Sequence, residues 1–347
     1  MATRTLDEAS LRVSAARQSG KAEDLVEALN VHANLLVKSG QLAAAVPELD
    51  EAATIYQRLA NPQAEARYQV LAATVTRLLG RFEDARGRAQ RAIELSIGGG
   101  LTAVSAWTTL GDVELAAGRP SEAMTAYARA LQLVSDSDGD AAEKARLLRQ
   151  QAIAQVAMGR SSDAAASLVD AHDQLLRAGK TRDAVRALVE AATAAQQAGD
   201  TVRAHELERQ ARPAAEAAGD RQALADLDLL AAAAAVDSHQ ITAALQDLMA
   251  ARSRALEADA PISYVAAVVG ISELSAARDD RLTAYESLAT GWATLGDRLG
   301  QEAARAIFEP KLRHLQQRWG PAAFATVKAA YEVQRRAATH GDTEKAR

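Results

Sequence analysis

The chain has no cysteine among its 347 residues. That excludes disulfides, thiolate-bound metals and a cysteine nucleophile. Aromatic residues make up only 3% of it, so small and aliphatic side chains must fill whatever interior it has. Lysine is scarce beside arginine, seven against 33. No long alternating run rich in Val, Ile and Thr is present, so strands are not expected. The first ten residues, MATRTLDEAS, lack the apolar core of a secretion signal. The longest apolar run, Leu229 to Val236, is far too short to cross a bilayer. These absences make the cytoplasm the expected location, with no membrane partner.

What is present points to packed helices. The apolar fraction is 48%, and alanine, the best helix former, carries much of it. Basic and acidic residues, 40 and 45, are intermixed along the chain and leave a net charge of −5. A polyanion binder normally shows a basic face or stripe, so no nucleic-acid partner is expected. The expected class is all-α.

One stretch sets the pattern for the rest. Ala106 to Val134 holds Trp107, Leu110, Gly111, Gly118, Ala123, Tyr127 and Ala130. With Gly118 as the turn marker, equivalent markers fall at Gly40, Gly80, Gly159, Gly199, Ser238, Asp279 and Gly320. Five residues after each marker stands an alanine: Ala45, Ala85, Ala123, Ala164, Ala204, Ala243, Ala284 and Ala325. Seven before it stand Ala33, Ala73, Gly111, Ala152, Ala192, Ala231 and Ser272. Twelve after it come Ala52, Ala92, Ala130, Ala171, Ala211, Ala250 and Gly291. Three small-residue columns in one register imply helices that approach too closely for larger side chains. The spacing predicts eight repeats at a period near 40.

The Trp, Leu-Gly, Gly, Ala, aromatic and Ala positions of Ala106 to Val134 closely resemble a tetratricopeptide repeat. The longer period resembles the variants in kinesin light chain and in bacterial quorum-peptide receptors. The resemblance implies a right-handed α-solenoid, or superhelix, of helix-turn-helix repeats. Residues 1–20 are then an amino-terminal capping helix and 21–298 seven repeats. Residues 299–339 form a degenerate eighth repeat or cap, containing Pro310, Arg313 and Glu332, and 340–347 a frayed tail. Trp319, Pro321 and Phe324 are expected to pin that cap's hairpin. Asn61-Pro62, Asp140, Ser161 and Thr181 suit helix starts.

Chemical motifs are thin. Asp136, Asp138, Gly139 and Asp140 suggest a calcium loop, yet the first ligand position would be Val134 and the twelfth Ala145. Gly179-Lys180-Thr181 resembles the end of a phosphate loop, but Gln174 stands where a glycine is needed. Six histidines are scattered over different repeats without HxxxH spacing, and His205 with Glu208 reads as a surface pair. No nucleophile elbow or triad spacing occurs. No enzyme activity, metal or cofactor is expected.

In tetratricopeptide proteins the first helix of each hairpin lines the concave surface, where partners lie as peptides or helices. Counting from the markers, the inward positions carry Glu27, Asn30, Asn34 and Lys38 in the first repeat. Arg67, Thr74 and Arg77 follow in the second, and Ser105, Thr108 and Asp112 in the third. The next two contribute Arg146, Arg149, Arg186, Glu190, Thr193 and Gln196. Later repeats offer mostly small residues, Ala225, Ala232, Ala235, Ala266 and Ala276, with Asp228 and Glu273 as exceptions. Asparagines can hydrogen-bond an extended backbone, and arginines can fork onto carboxylates. The expected role is therefore an interaction module, an adaptor or regulator, that holds an acidic protein or peptide segment in its groove. A peptide-responsive sensor similar to the quorum-peptide receptors, and an accessory subunit of an enzyme complex, are the other readings. Self-association through the smooth carboxy-terminal half is also expected.

Overall fold

The computed structural model describes residues 2–96, 99–134 and 140–345. Among them are 17 α-helices and no strand. The chain divides into two units, Met1–Ala187 and Leu188–Arg347. Unit 1 opens with α1 (Ala2–Ser19), followed by the hairpin of α2 (Ala22–Lys38) and α3 (Leu42–Arg58). Next come α4 (Pro62–Leu78) with α5 (Phe82–Leu95), and α6 (Leu101–Ala116) with α7 (Pro120–Leu133). A fourth hairpin pairs α8 (Ala141–Ala157) with α9 (Ser161–Arg177). The boundary between units falls inside α10 (Thr181–Gln197). Unit 2 continues with α11 (Thr201–Ala218), then α12 (Arg221–Asp237) with α13 (Ile241–Glu257). It ends with α14 (Pro261–Ala277) beside α15 (Arg281–Leu299), and α16 (Gln301–Trp319) beside α17 (Pro321–Lys345). Each unit is a stack of helix hairpins, as an all-α solenoid requires.

The turns explain why the helices stop where they do. A residue with positive φ follows almost every helix, and at Gly20, Gly40, Gly80, Gly118, Gly159, Gly179, Gly199 and Gly219 it is glycine, with φ between 60° and 78°. The next amide then reaches back to the helix, as Gln41 N does to Leu36 O at 2.8 Å and Arg119 N to Glu114 O at 2.8 Å. This satisfies carbonyls that the helix end would otherwise orphan. Four turns use other residues there: Ala60 (φ 50°), His239 (58°), Asp259 (52°) and Asp279 (60°). A left-handed alanine costs about 1–2 kcal/mol. Glycine removes that strain but loses about 0.5–1 kcal/mol of chain entropy. Ala60→Gly is therefore expected to stabilise by roughly 0.5–1 kcal/mol, read as a higher midpoint in urea; an unchanged or lower midpoint would contradict it.

The small-residue columns are where the helices pinch. Ala45, Ala85, Ala123, Ala164 and Ala284 are fully buried, as are Ala52, Ala92, Ala130, Ala171 and Ala211. The sixth repeat is a correction. Its left-handed turn residue is His239, not Ser238, and the fully buried positions are Ala244 and Ala251, not Ala243 and Ala250. Likewise Ala232, not Ala231, is buried. A run of alanines hides a one-residue slip, because either register offers a small side chain. In α17 the column ends, and Ala325 is exposed.

Larger side chains fill the wedges between pinch points. Tyr127, Leu147 and Val104 form one such cluster in unit 1, and Leu288, Leu295 and Phe308 one in unit 2. α16 runs unbroken through Pro310 but buries only Ala304, Phe308 and Leu315. Aromatic rings hold α17 instead: Tyr285 meets Phe324 and Tyr331 edge-on at 5.4 and 5.5 Å, and Trp319 lies 6.3 Å from Phe324. Side-chain N-caps close α4, α11, α12 and α15 through Asn61, Asp200, Asp220 and Asp280.

Candidate binding face

Three successive first helices, α4, α6 and α8, bring four of the expected residues into one electrostatic cluster. At its centre is Asp112 on α6, which accepts a hydrogen bond from the Tyr127 hydroxyl at 2.8 Å. Tyr127 is fully buried and lies against Gly111, which has no side chain to obstruct the ring. Burial pushes the Asp112 carboxyl above its ordinary pKa. The Tyr127 bond and the charges of Arg77 and Arg146 pull it part of the way back. Burial and the nearby carboxylate drive the Tyr127 hydroxyl far upward, so it remains a donor at any ordinary pH.

Arg146 on α8 binds Glu143 through Nε at 2.9 Å and Nη2 at 2.5 Å, and that bond raises its pKa. The same Nη2 reaches the Thr108 hydroxyl at 3.4 Å, linking α8 to α6. Arg77 on α4 presents a buried Nε with no acceptor among the described residues. The cluster thus holds two cations, one shielded carboxylate and one donor still seeking an acceptor.

The other expected residues lie along α2, α4, α8 and α10. Asn34 donates to the Asn30 carbonyl at 2.9 Å and to its side-chain oxygen at 3.4 Å, so this pair is spent partly on itself. Thr74, Thr108 and Thr193 each donate to a carbonyl four residues earlier, at 2.8–3.0 Å. Thr74 and Thr193 keep acceptor lone pairs near the surface, while Thr108 is buried and its hydroxyl already accepts from Arg146. Lys38 and Arg67 are exposed, while Arg149 and Arg186 are half-buried and already engaged. Glu190, Thr193 and Gln196 belong to unit 2, and the residues expected in the first four repeats, with Arg186, to unit 1.

Sequence reasoning missed an apolar part of the face. Ile153 stands on α8 at the position that Asn34, Thr74 and Asp112 hold in their own helices, and it is 54% exposed. Val156, one turn later, is exposed as well. A β-branched residue in a slot otherwise polar was the available signal.

Two further charge clusters brace helices together. Glu114, only 6% exposed, receives Arg86 through Nε and Nη2 at 2.6 Å each and Arg119 through Nε at 2.5 Å. In unit 2, Asp228, an inward exception by its place in the repeat, is instead buried and ion-paired with Arg212 at 3.0 Å and with Arg254. Of the small positions read beside it, Ala225, Ala232 and Ala276 are buried too. Helix interfaces, not a groove lining, hold these residues.

Among the described residues no three His, Cys, Asp or Glu side chains come together to hold a metal. No described helix is long and apolar enough to cross a membrane. His205 and Glu208 make only a 3.7 Å surface contact. The acidic turn containing Asp136, Asp138 and Gly139 lies outside the described residues.

No protein-family model matches the chain, and no curated protein sequence matches it either. Solved structures do. The tetratricopeptide-repeat sensor protein of the STAND ATPase class from Pyrococcus horikoshii superposes with a TM-score of 0.61 at 14% identity. The match covers 82% of this chain and 44% of that one, so this chain spans less than half of that protein's length. The apo form of RapI gives 0.58 at 15% identity, covering 85% and 87% of the two chains. The apo quorum sensor NprR from B. thuringiensis gives 0.56 at 12% identity, covering 84% and 83%. Likeness at these identities is a likeness of fold. The chain has the all-helical repeat fold of tetratricopeptide-repeat proteins.

Proposed function

We propose that this chain is a non-catalytic interaction module. The first-helix face of unit 1 binds an acidic protein segment that also carries an apolar side chain. The observation behind this reading is the unsatisfied Arg77 Nε beside Arg146. The Nε itself is enclosed, so an incoming carboxylate meets the terminal guanidinium nitrogens of half-buried Arg77 and of Arg146. Exposed Ile153 and Val156 alongside supply the apolar contact. Thr74 accepts a backbone amide, and Asp112, tied to Tyr127, attracts both arginines.

Acidic decapeptides with and without a central leucine, titrated calorimetrically, test the reading. Arg77→Ala and Arg146→Ala are each expected to weaken binding about tenfold, which is the loss of one charge-assisted hydrogen bond. Ile153→Ser is expected to abolish the preference for leucine. Equal affinity in the parent protein and all three variants would remove the proposal.

A further inference from the structure

The net charge of −5 conceals a sharp division within unit 2. Residues 201–300 carry nine basic and fifteen acidic side chains. Residues 301–337, the last hairpin, carry seven basic and only three acidic ones. All seven bases are exposed. Arg305 and Arg313 share Glu309, at 2.8 and 3.0 Å, and Lys311 reaches Glu273 at 3.6 Å. Arg318, Lys328 and Arg336 give the hairpin an outward positive surface. On α17 that surface includes Val333, 67% exposed and three residues from Arg336.

The acidic part of the same unit has the matching features. Leu256, Asp259, Pro261, Arg298 and Leu299 line a shallow depression where α13, α14 and α15 end or begin. Ile262, the next residue along, is 85% exposed; Glu257 and Asp297, adjacent in sequence to the lining residues Leu256 and Arg298, are exposed too, with Glu257 held by Arg221 at 2.7 Å and Asp259 by Arg298 at 2.5 Å. One surface is thus positive with an apolar point, and the other, with Glu257, Asp259 and Asp297 against Arg221 and Arg298, keeps a negative excess beside an apolar point. A chain carrying both is complementary to itself across a two-fold axis, since each contact is made twice.

We propose that the terminal hairpin α16–α17 docks on the acidic α13–α15 edge of a second copy of this chain. The proposal is independent of the peptide-binding reading, because no residue of unit 1 takes part. Nucleic acid is a poorer occupant for the hairpin: the neighbouring negative segment repels a long polyanion but attracts the partner's positive hairpin. A contact built on exposed charges is weak and salt-sensitive.

Sedimentation velocity over a concentration series tests this. In about 50 mM salt the parent protein is expected to approach twice its monomer mass near 100 µM, and in about 500 mM salt to return to the monomer. The combined variant Arg318→Glu, Lys328→Glu, Arg336→Glu is expected to stay monomeric with an unchanged melting temperature. Glu257→Lys with Asp297→Lys is expected to do the same, and mixing the two variants to restore a heterodimer. A parent protein that is monomeric throughout would overturn the proposal. So would a dimer indifferent to salt or to these substitutions, or an oligonucleotide bound by the hairpin in place of a second copy.

Discussion

Gly111→Ala is expected to cost about 3 kcal/mol, the upper part of the range for overpacking a well-filled interior. A β-carbon at Gly111 would stand 2.4 Å from Tyr127 Cε1, 2.6 Å from Cδ1 and 2.8 Å from Cζ. The ring has nowhere to go. It is fully buried, and its hydroxyl is tied to Asp112. Either α6 and α7 separate or the hydrogen bond breaks, and both disturb the Asp112 cluster. Urea unfolding measures the loss, and a change below about 1 kcal/mol would show the ring freer than described. Tyr127→Leu in the Gly111→Ala background should return part of the stability, since the two sites couple directly. Gly296→Ala is the contrast. There the β-carbon meets only the tip of Gln301, an exposed side chain that can swing away. A glycine inside α15 then gains from alanine's helix propensity, by about 1 kcal/mol.

Removing the Glu114 carboxylate has the second large effect. Glu114→Ala is expected to cost about 2–3 kcal/mol, at or below the low end for breaking a buried ion pair. Arg86 and Arg119 keep some solvent and retain Glu83, at 3.1 and 3.0 Å, which limits the loss. Glu114→Gln, keeping shape and part of the hydrogen bonding, should cost about half as much. Burial alone would raise the Glu114 pKa. Hydrogen bonds from Arg86 and Arg119, with their charges, outweigh burial and hold it below the ordinary glutamate value. The unfolded chain therefore binds this proton more readily than the folded one. The contribution is complete above the ordinary glutamate range and is lost as pH falls through the lowered value. Stability curves of the parent and Glu114→Gln should thus converge in acid; parallel curves down to pH 3 would contradict the assignment.

The fold was open to reading because its constraint is local and repeats. Pinched helices need small residues at fixed offsets from a turn, and Gly118 with Ala123, Ala130 and Gly111 shows the rule once in full. Where the rule is degenerate the reading slipped. Leu229 to Val236 offers a small residue in several registers, and only the positive φ of His239 identifies the turn. The binding face was less legible. Arg77, Thr108, Asp112 and Arg146 followed from the helical repeat: they stand three, ten, six and thirteen residues before their turn markers, positions three or four apart that share one face of the first helix. The Tyr127–Asp112 bond joins different helices at a distance that no spacing rule gives. Asp228 shows the converse: a charged residue on a first helix was read as groove lining, while Arg212 and Arg254 from two other helices draw it inside. The charge division of unit 2 was visible in the letters, and an average over the whole chain concealed it.

The left-handed residues at the helix junctions bear on how such a chain changes length. Each hairpin whose two flanking junctions are both left-handed, such as α2–α3 between Gly20 and Ala60 or α12–α13 between Gly219 and Asp259, enters and leaves through the same backbone kink. Its two ends are therefore geometrically interchangeable with those of its neighbours. A gene encoding this architecture can gain or lose one hairpin by duplication or deletion, and the neighbours meet across the new seam without a central core having to be rebuilt.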